Sequence, residues 1–212
     1  MTGKQHMRLA ELGVATVYEA SGREGLLDLS LTQLLPGSRV AGPARTVLCG
    51  QDDNLMVHAI MEQVQPGEVL VLTMPEPNPI ALVGELLATQ AKVRGAAGIL
   101  VDAAVRDVEE LVELGLPIWT RHIRVKGATK TKIGQMNGRV TVGGTIVNPG
   151  DIVVLDADGA AAVKRERLAD VLVKAEARLE REAQMRTRLE AGEMSYDIHG
   201  LRAYVAEQKE KS

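Results

Sequence analysis

The spacing of apolar and polar positions predicts alternating strands and helices over the first two thirds of the chain. Two short apolar runs, at 68–72 and 98–102, are nearly continuous and lie close to glycine or proline, as is typical of strands buried on both faces. Apolar residues recur at helical spacing over 7–21, 54–65 and 80–95. The first of these stretches predicts two short helices, and Gly95 is a plausible cap for the last one.

The same alternation continues on both sides of these elements. Residues 35–50 predict one or two strands, 108–114 a short helix and 116–119 another strand. Strands joined through helices form right-handed parallel crossovers, so this region predicts a parallel sheet. From residue 139, Gly-Gly, Pro-Gly and Asp-Gly turns separate short strands, which favours antiparallel hairpins. The fold class is therefore α/β with mixed sheets.

The C-terminal part changes to a helical pattern. One apolar stripe is spaced as on a single helix face, and it consists of Leu168, Val171, Leu172, Ala175 and Leu179. Residues 176–190 are rich in charge, which is compatible either with a solvated surface helix or with one that crosses a subunit boundary. A second helix is predicted around 201–208. We accordingly divide the chain into an α/β core, 1–163, and a helical extension, 164–212.

Composition excludes several classes of protein. The 212 residues suit about one domain, and the net charge of −3 gives no excess of cations for a nucleic-acid backbone. Aromatic residues are 2% of the chain, too few for a base-stacking platform. The single cysteine, Cys49, excludes an internal disulfide and a thiolate zinc cluster. No apolar leader and no membrane-length apolar run is present, so we expect a cytoplasmic protein that binds neither membranes nor nucleic acid.

The pair Arg106-Asp107 follows the predicted strand at 98–102. Ligands of parallel sheets bind outside the carboxyl ends of the strands. A carboxylate suits Mg²⁺ or Mn²⁺, and a guanidinium suits a carboxylate substrate. The alternative is that Asp107 caps the helix that begins at Val108, with Arg106 in solvent. Spacing alone leaves both interpretations open.

A second candidate is the sequence Gly84-Glu85-Leu86-Leu87. If a helix begins near Gly84, its free N–H groups can bind an anion, and the glycine permits close approach of the ligand. Glu85 would then lie at the mouth of the same site as a base or a water-holding group. The alternative is that Glu85 only complements the helix dipole.

Histidines and lysines give weaker signals. The histidines show no metal-ligand spacing and are expected at the surface or in packing, with His122 the one of most interest; they are His6, His58, His122 and His199. Three lysines lie in a polar run that predicts a surface loop with affinity for at most an inorganic anion, rather than a dry Schiff-base pocket; they are Lys126, Lys130 and Lys132.

Taken in order, these segments resemble the class II, divalent-metal-dependent pyruvate aldolases typified by 4-hydroxy-4-methyl-2-oxoglutarate/4-carboxy-4-hydroxy-2-oxoadipate aldolase. That family shares its fold with the regulator of ribonuclease activity A. The signature is a Gly-(Asp/Glu)-Leu followed about twenty residues later by Arg-Asp, here within 84–111. The other similar segments are 12–27, 36–47, 53–72, 116–130 and 145–163. One departure is Leu55, where the family often has an aromatic residue.

The resemblance implies a role for each matching residue. Asp107 matches the protein ligand of the metal, and Arg106 matches the arginine that binds the pyruvyl group and stabilises its enolate. Glu85 matches an acidic residue that holds metal-bound water. The N–H groups of Leu86 and Leu87, beside Gly84, match those that bind the pyruvate carboxylate. A glutamate from a neighbouring subunit's C-terminal helix also approaches the site in the aldolases, and Glu182 is its best match here, with Glu180 as the alternative.

The implied fold is a layered α/β/β/α sandwich with mixed sheets, assembled as a homotrimer or homohexamer. The implied reaction is retro-aldol cleavage of a 4-hydroxy-2-oxo di- or tricarboxylic acid to pyruvate and a second oxo acid, as in aromatic compound degradation. Oxaloacetate decarboxylation with Mg²⁺ or Mn²⁺ would be a side activity. The alternatives are an aldolase for another pyruvate adduct and a non-catalytic interaction module like the ribonuclease regulator. The charged extension, which the aldolases also have, favours the enzyme.

Overall fold

A computed structural model describes residues 2–211. The chain forms two compact units, Met1–Ala175 and Glu176–Ser212. One long helix, Leu168–Glu190, contributes residues to both units.

The first unit holds every strand that the structure defines in residues 2–211. Its helices are Thr2–Leu12 (α1), Val14–Ala20 (α2), Leu55–Ile60 (α3), Glu85–Val93 (α4), Val108–Leu114 (α5) and the start of Leu168–Glu190 (α6), which follows a 3₁₀ turn at Arg165–Arg167. Its strands are Thr32–Gln33 (β1), Val40–Leu48 (β2), Val69–Thr73 (β3), Ala81–Val83 (β4), Gly98–Val105 (β5), Ile118–Ile123 (β6), Gln135–Met136 (β7), Val140–Val142 (β8), Thr145–Val147 (β9), Ile152–Asp156 (β10) and Gly159–Val163 (β11).

The main sheet is mixed, as the sequence predicts. Its strands lie in the order β1-β6-β5-β3-β2-β10-β11, with β4 beside β5 and β7 beside β2. The strands β2, β3, β5 and β6 are parallel to their neighbours in this series, whereas β10 pairs antiparallel with both β2 and β11. A separate antiparallel hairpin consists of β8 and β9. The parallel crossovers and the later hairpins are both confirmed.

Three apolar clusters separate four layers. The first lies between α3, α4 and α5 and the parallel strands, and includes Ile60, Leu87 and Leu111. The second lies between the parallel strands and the antiparallel ones, where Trp119 is 1% exposed and its indole N–H donates to the Asp156 carbonyl. The third packs α1, α2 and the start of α6 on β10 and β11. This order of layers is the α/β/β/α arrangement.

Two predicted helices are shorter in the structure. The stretch 80–95 is not one helix, because Ala81–Val83 is buried on both faces and pairs with β5, and the helix starts only after Gly84. Gly95 has a φ of 86°, so its predicted role as a terminating glycine is confirmed. The helix predicted over 54–65 ends at Ile60, and the following turn is closed by the Gln63 N–H on the Ile60 carbonyl at 2.8 Å.

The second unit is helical and its exposed faces are rich in ion pairs. It contains the end of α6 and the helices Ser195–Ile198 (α7) and Leu201–Glu210 (α8). The guanidinium of Arg202 pairs with Asp197 and lies over the ring of Tyr196. None of the helices described in residues 2–211 combines the length and apolar character needed to cross a bilayer.

Candidate active site

Two chain segments that leave adjacent strands form the candidate site. Strand β4 leads through Gly84 into α4, and β5 leads through Arg106 and Asp107 into α5. The two strands are parallel, with Val83 opposite Val105. Their carboxyl ends therefore lie at the same edge of the sheet, where parallel sheets bind ligands.

Gly84 permits the close approach of these segments. A Cβ built on Gly84 would lie 2.4 Å from Asp107 Oδ2 and 3.3 Å from the Cγ and Nε atoms of Arg106. The backbone of Gly84 is extended, with φ −129° and ψ −172°, which other residues adopt. The glycine is therefore required here for space, not for backbone freedom.

Asp107 is held in an uncommon conformation. Its φ of 62° and ψ of 46° lie in the left-handed region, which Asp and Asn tolerate better than most residues. Asp107 occupies the position before α5, but its side chain makes no cap hydrogen bond to that helix. Instead Oδ2 accepts the backbone N–H of Glu85 at 3.1 Å. The carboxylate therefore faces α4, and helix capping does not explain its presence.

Arg106 lies between this carboxylate and a glycine of a second loop. Its Nε is 3.7 Å from Asp107 Oδ2, and its side chain is half exposed. A Cβ on Gly127 would lie 2.8 Å from Arg106 Nη1, so Gly127 also leaves room for the guanidinium. The remaining guanidinium donors are available to an anion that enters the site.

The N-terminus of α4 supplies further donors. The first N–H groups of a helix have no acceptor within it. Glu85 donates its N–H to Asp107 and the Ala88 N–H bonds to the Gly84 carbonyl, which leaves the amides of Leu86 and Leu87. Two amide donors and the positive end of the helix dipole suit a carboxylate.

A cavity of about 190 Å³ joins these groups. The predicted residues Gly84, Leu86, Leu87, Arg106 and Asp107 all line it, so the structure brings together the residues from both predicted motifs. The remaining lining residues are Asn54, His58, Ala81, Gly127, Ala128 and Lys130.

Glu85 and Glu182 are placed differently. The Glu85 N–H bonds to Asp107, but Glu85 is not one of the residues that line the cavity, and its carboxylate accepts the Thr89 hydroxyl at 2.8 Å. Glu182 lies in the second unit, where its Oε1 is 2.8 Å from Arg178 Nε. The roles assigned to these two glutamates stay predictions.

Sequence reasoning missed the cavity wall formed by His58, Lys130 and Asn54. Burial, followed by the charge of Lys130, holds the pKa of His58 below its usual value, so the two groups are neighbours. Asn54 is buried, and its Nδ2 donates to the Leu82 carbonyl while its Oδ1 has no partner among the described residues. The Asp-Asn pair at 53–54, directly before a helix, is the sequence feature that could have indicated this part of the cavity. Its spacing along the chain does not relate it to residues 106 and 130.

The donor set fits a hard divalent cation. Asp107 Oδ2 is engaged with the Glu85 amide, and a carboxylate has acceptor sites left on its other oxygen. Within residues 2–211 no group of three His, Cys, Asp or Glu residues could enclose a metal. One carboxylate with water completing the shell is a common way for proteins to bind Mg²⁺. The predicted Asp107 ligand is thus compatible with the geometry.

A larger cavity of about 550 Å³ lies elsewhere in the first unit. Its polar side chains are largely engaged with one another, since Arg167 bonds to Glu24 and Asp151 accepts from Asn148. The smaller cavity is the better candidate, because Arg106, Asp107 and the amides at the start of α4 converge there.

Comparisons with known proteins show the family to which this chain belongs. The RraA-like family, described as Aldolase/RraA, matches residues 14–162. A protein of Halalkalibacterium halodurans named "Putative 4-hydroxy-4-methyl-2-oxoglutarate aldolase" is 33% identical over 194 residues, covering 91% of this chain and 90% of that protein.

Solved structures give the same fold. RraAS2 of Streptomyces coelicolor, described as an unusual member of the RNase ES inhibitor RraA protein family, superposes with a TM-score of 0.77 at 31% identity, covering 88% of this chain and 97% of that one. The RNA-processing inhibitor RraA from Thermus thermophilis gives 0.59 at 29% identity, covering 66% and 82%. From its sequence and its fold, this chain belongs to the RraA-like family of aldolases and RraA proteins.

Proposed function

We propose that the protein is a divalent-metal-dependent lyase that cleaves 4-hydroxy-2-oxo diacids or triacids to pyruvate and a second oxo acid. The observation that carries the proposal is the convergence of Arg106, Asp107 and the α4 amides on one cavity, made possible by Gly84. The similarity to the Halalkalibacterium halodurans protein supports the same class of reaction.

The amides of Leu86 and Leu87 bind the carboxylate next to the keto group. Arg106 then lies beside the keto oxygen, where negative charge develops when the C3–C4 bond breaks. A fork of N–H donors aimed at that oxygen stabilises the enolate more than the neutral ketone, which is the condition for catalysis. A divalent cation held by Asp107 would supply further Lewis-acid polarisation of the keto acid.

Cleavage also requires removal of the proton from the C4 hydroxyl. Glu85 and, from a neighbouring subunit, Glu182 are the proposed acceptors, acting through water. Decarboxylation of oxaloacetate needs no such base. When its C3–C4 bond breaks, C4 leaves as carbon dioxide and the electron pair remains on C3 as the same pyruvate enolate. The proposal therefore includes oxaloacetate decarboxylation as a side activity.

A lysine in the cavity lining favours a substrate with a second acidic group. Lys130 lines the cavity together with Leu86 and Leu87, and no hydrogen bond or ion pair of its ammonium is defined within residues 2–211. A second carboxylate on the substrate would neutralise this charge. Monoacids such as pyruvate itself leave Lys130 without a partner.

The experiment is a pyruvate-release assay on the purified protein. A panel of 4-hydroxy-2-oxo diacids and oxaloacetate is tested with Mg²⁺, with Mn²⁺ and after chelation. We expect metal-dependent release, lost in Asp107→Asn, because asparagine keeps the backbone conformation but not the charge. Glu110→Gln, an exposed change on α5, is the matched control and should retain activity. No release from any substrate of the panel with either metal would contradict this proposal and favour the regulator-like interaction module.

A separate experiment tests whether the site is shared between subunits. Asp107→Asn and Glu182→Ala proteins are dissociated, mixed and reassociated. Shared sites predict partial recovery of cleavage, because some interfaces pair an intact Asp107 with an intact Glu182. No recovery in confirmed mixed oligomers would mean that each site is built within one chain or that Glu182 is not the residue involved.

A further inference from the structure

The buried carboxylate of Asp53 is the anchor of the loop that carries Lys130. Three donors of the 126–132 loop converge on Asp53 Oδ2: the Thr129 hydroxyl at 2.6 Å and the N–H groups of Thr131 and Lys132 at 2.6 and 3.0 Å. The other oxygen accepts the Leu55 N–H at 2.8 Å. Asp53 itself is fully buried, directly before Asn54 of the cavity wall.

The same loop is fixed to the site at its other end. The Ala81 N–H donates to the Lys126 carbonyl, and the Ala128 N–H donates to the Ala81 carbonyl, beside the glycine that accommodates Arg106. Between these two attachments, the Thr129 carbonyl accepts the Asn54 N–H at 2.9 Å. Lys130 is thus an exposed residue of a loop that is hydrogen-bonded on both sides of it.

A carboxylate is specifically suited to this position. Every donor around Asp53 is an N–H or O–H group, and an ionised carboxylate offers acceptors on both oxygens. An amide of the same shape has a single oxygen, so its NH₂ group must face either the loop donors or the Leu55 N–H. In both orientations a buried donor loses its acceptor, which is costly.

We propose that Asp53 is a positioning residue: it holds the 126–132 loop so that the Lys130 ammonium lies in the cavity that the start of α4 also lines. The predicted consequence is control of how tightly the second acidic group of the substrate binds. The kinetic part of this inference rests on the proposed function, whereas the position of Lys130 does not.

His58 gives a readout of Lys130 that is independent of activity. The charge of Lys130 contributes to the lowered pKa of His58. If Asp53→Asn releases the loop, the pKa of His58 should rise toward its usual value, and Lys130→Ala should give the same rise. Loss of the Asp53 charge by itself would lower the pKa of His58, so a rise identifies movement of Lys130 rather than a direct charge effect.

The test combines nuclear magnetic resonance titration of His58, amide hydrogen exchange at Thr131 and Lys132, and steady-state kinetics. In Asp53→Asn we expect faster exchange at both amides, a raised pKa of His58 and a KM for the diacid raised about tenfold, with kcat changed less. In the Lys130→Ala background, Asp53→Asn should no longer raise the pKa of His58, and it should leave KM unchanged.

The control is Asp52→Asn, with the same loss of charge at the adjacent position. The Asp52 side chain accepts from Gln51 and Asn78, not from the loop, and its φ of 60° is tolerated by asparagine. We expect exchange and KM close to wild type. If Asp53→Asn does not fold, Thr129→Val removes one donor while keeping the carboxylate, and should shift each readout in the same direction by less.

An unchanged pKa of His58 with faster exchange would overturn the proposal, because the loop would then be anchored without positioning Lys130. Unchanged exchange would also overturn it. Additive effects of the two substitutions on KM would show that Asp53 does not act through Lys130. If the wild-type protein releases no pyruvate, the proposed function fails, while the titration and exchange results still decide the position of Lys130.

Discussion

Gly84→Ala should strongly reduce the proposed lyase activity through displacement of Asp107. The added Cβ would lie 2.4 Å from Asp107 Oδ2, whereas ordinary contact begins at 3.4 Å. The carboxylate must therefore move by about 1 Å, and the Arg106 side chain, at 3.3 Å, limits the room on that side. The backbone of Gly84 is compatible with alanine, so the effect comes from this contact.

The magnitude follows from the displacement. A shift of about 1 Å in a group that orients a substrate can cost about 100-fold in rate. Glycine is also a better helix N-cap than alanine, so we expect a stability loss of roughly 1 kcal/mol or less from that source. The two effects are separable, because a protein that loses this much stability remains folded at 25 °C.

The assay measures pyruvate release with a coupled dehydrogenase, together with urea denaturation of each variant. Gly3→Ala is the control, since Gly3 lies in α1 with nothing within 4 Å of its built Cβ. We expect Gly3→Ala to match wild type in rate, and Gly84→Ala to be folded but slow. Full activity in Gly84→Ala would refute the argument that Gly84 sets the position of the Asp107 carboxylate.

Three further predictions concern single side chains. Arg106→Lys should lower kcat by about 10²–10³, because a point charge cannot replace the guanidinium fork, and a raised KM with unchanged kcat would contradict this role. Burial raises the pKa of Cys49 to about 12. Thiol reagents at about pH 8 should therefore label Cys49 only after unfolding, because the thiolate is the reactive form. Rapid labelling of the native protein would contradict this prediction. Burial alone would raise the pKa of Asp53, but hydrogen bonds from Thr129 and from backbone amides together outweigh it and hold the pKa below its usual value of 3.8. The ionised carboxylate therefore stabilises the fold above that pH, and this stabilisation is lost as the pH falls. In Asp53→Asn, the free energy of unfolding from urea denaturation should decrease less between neutral and acid pH than in wild type. An equal decrease in both proteins would contradict this prediction.

The sequence predicts most of the fold, because its apolar runs and turn glycines act locally. The strand at 98–102, the helix at 108–114 and the hairpins after residue 139 are all found. The main exception is 80–95, where Ala81-Leu82-Val83 fits a helical stripe as well as a short buried strand; the helix predicted over 54–65 is only shorter than expected. Only pairing with β5, a contact between distant residues, decides between them.

The site could be predicted only in part, for the same reason. Gly84, Arg106 and Asp107 belong to a compact motif whose strand-end position is visible in the sequence. The polar run around Lys130 predicts only a surface loop, because the hydrogen bonds that hold this loop are accepted by Asp53, more than seventy residues earlier. A buried carboxylate that binds a distant loop leaves no periodic signal.

Binding of Mn²⁺ with and without pyruvate tests the central claim most directly. If Asp107, Arg106 and the α4 amides form one site, metal and keto acid occupy it together, and each must tighten the binding of the other by the same factor. We predict weak Mn²⁺ binding that pyruvate strengthens, lost in Asp107→Asn and retained in Glu110→Gln. Mn²⁺ binding that is unaffected by pyruvate, or that is equal in wild type and Asp107→Asn, would contradict the account.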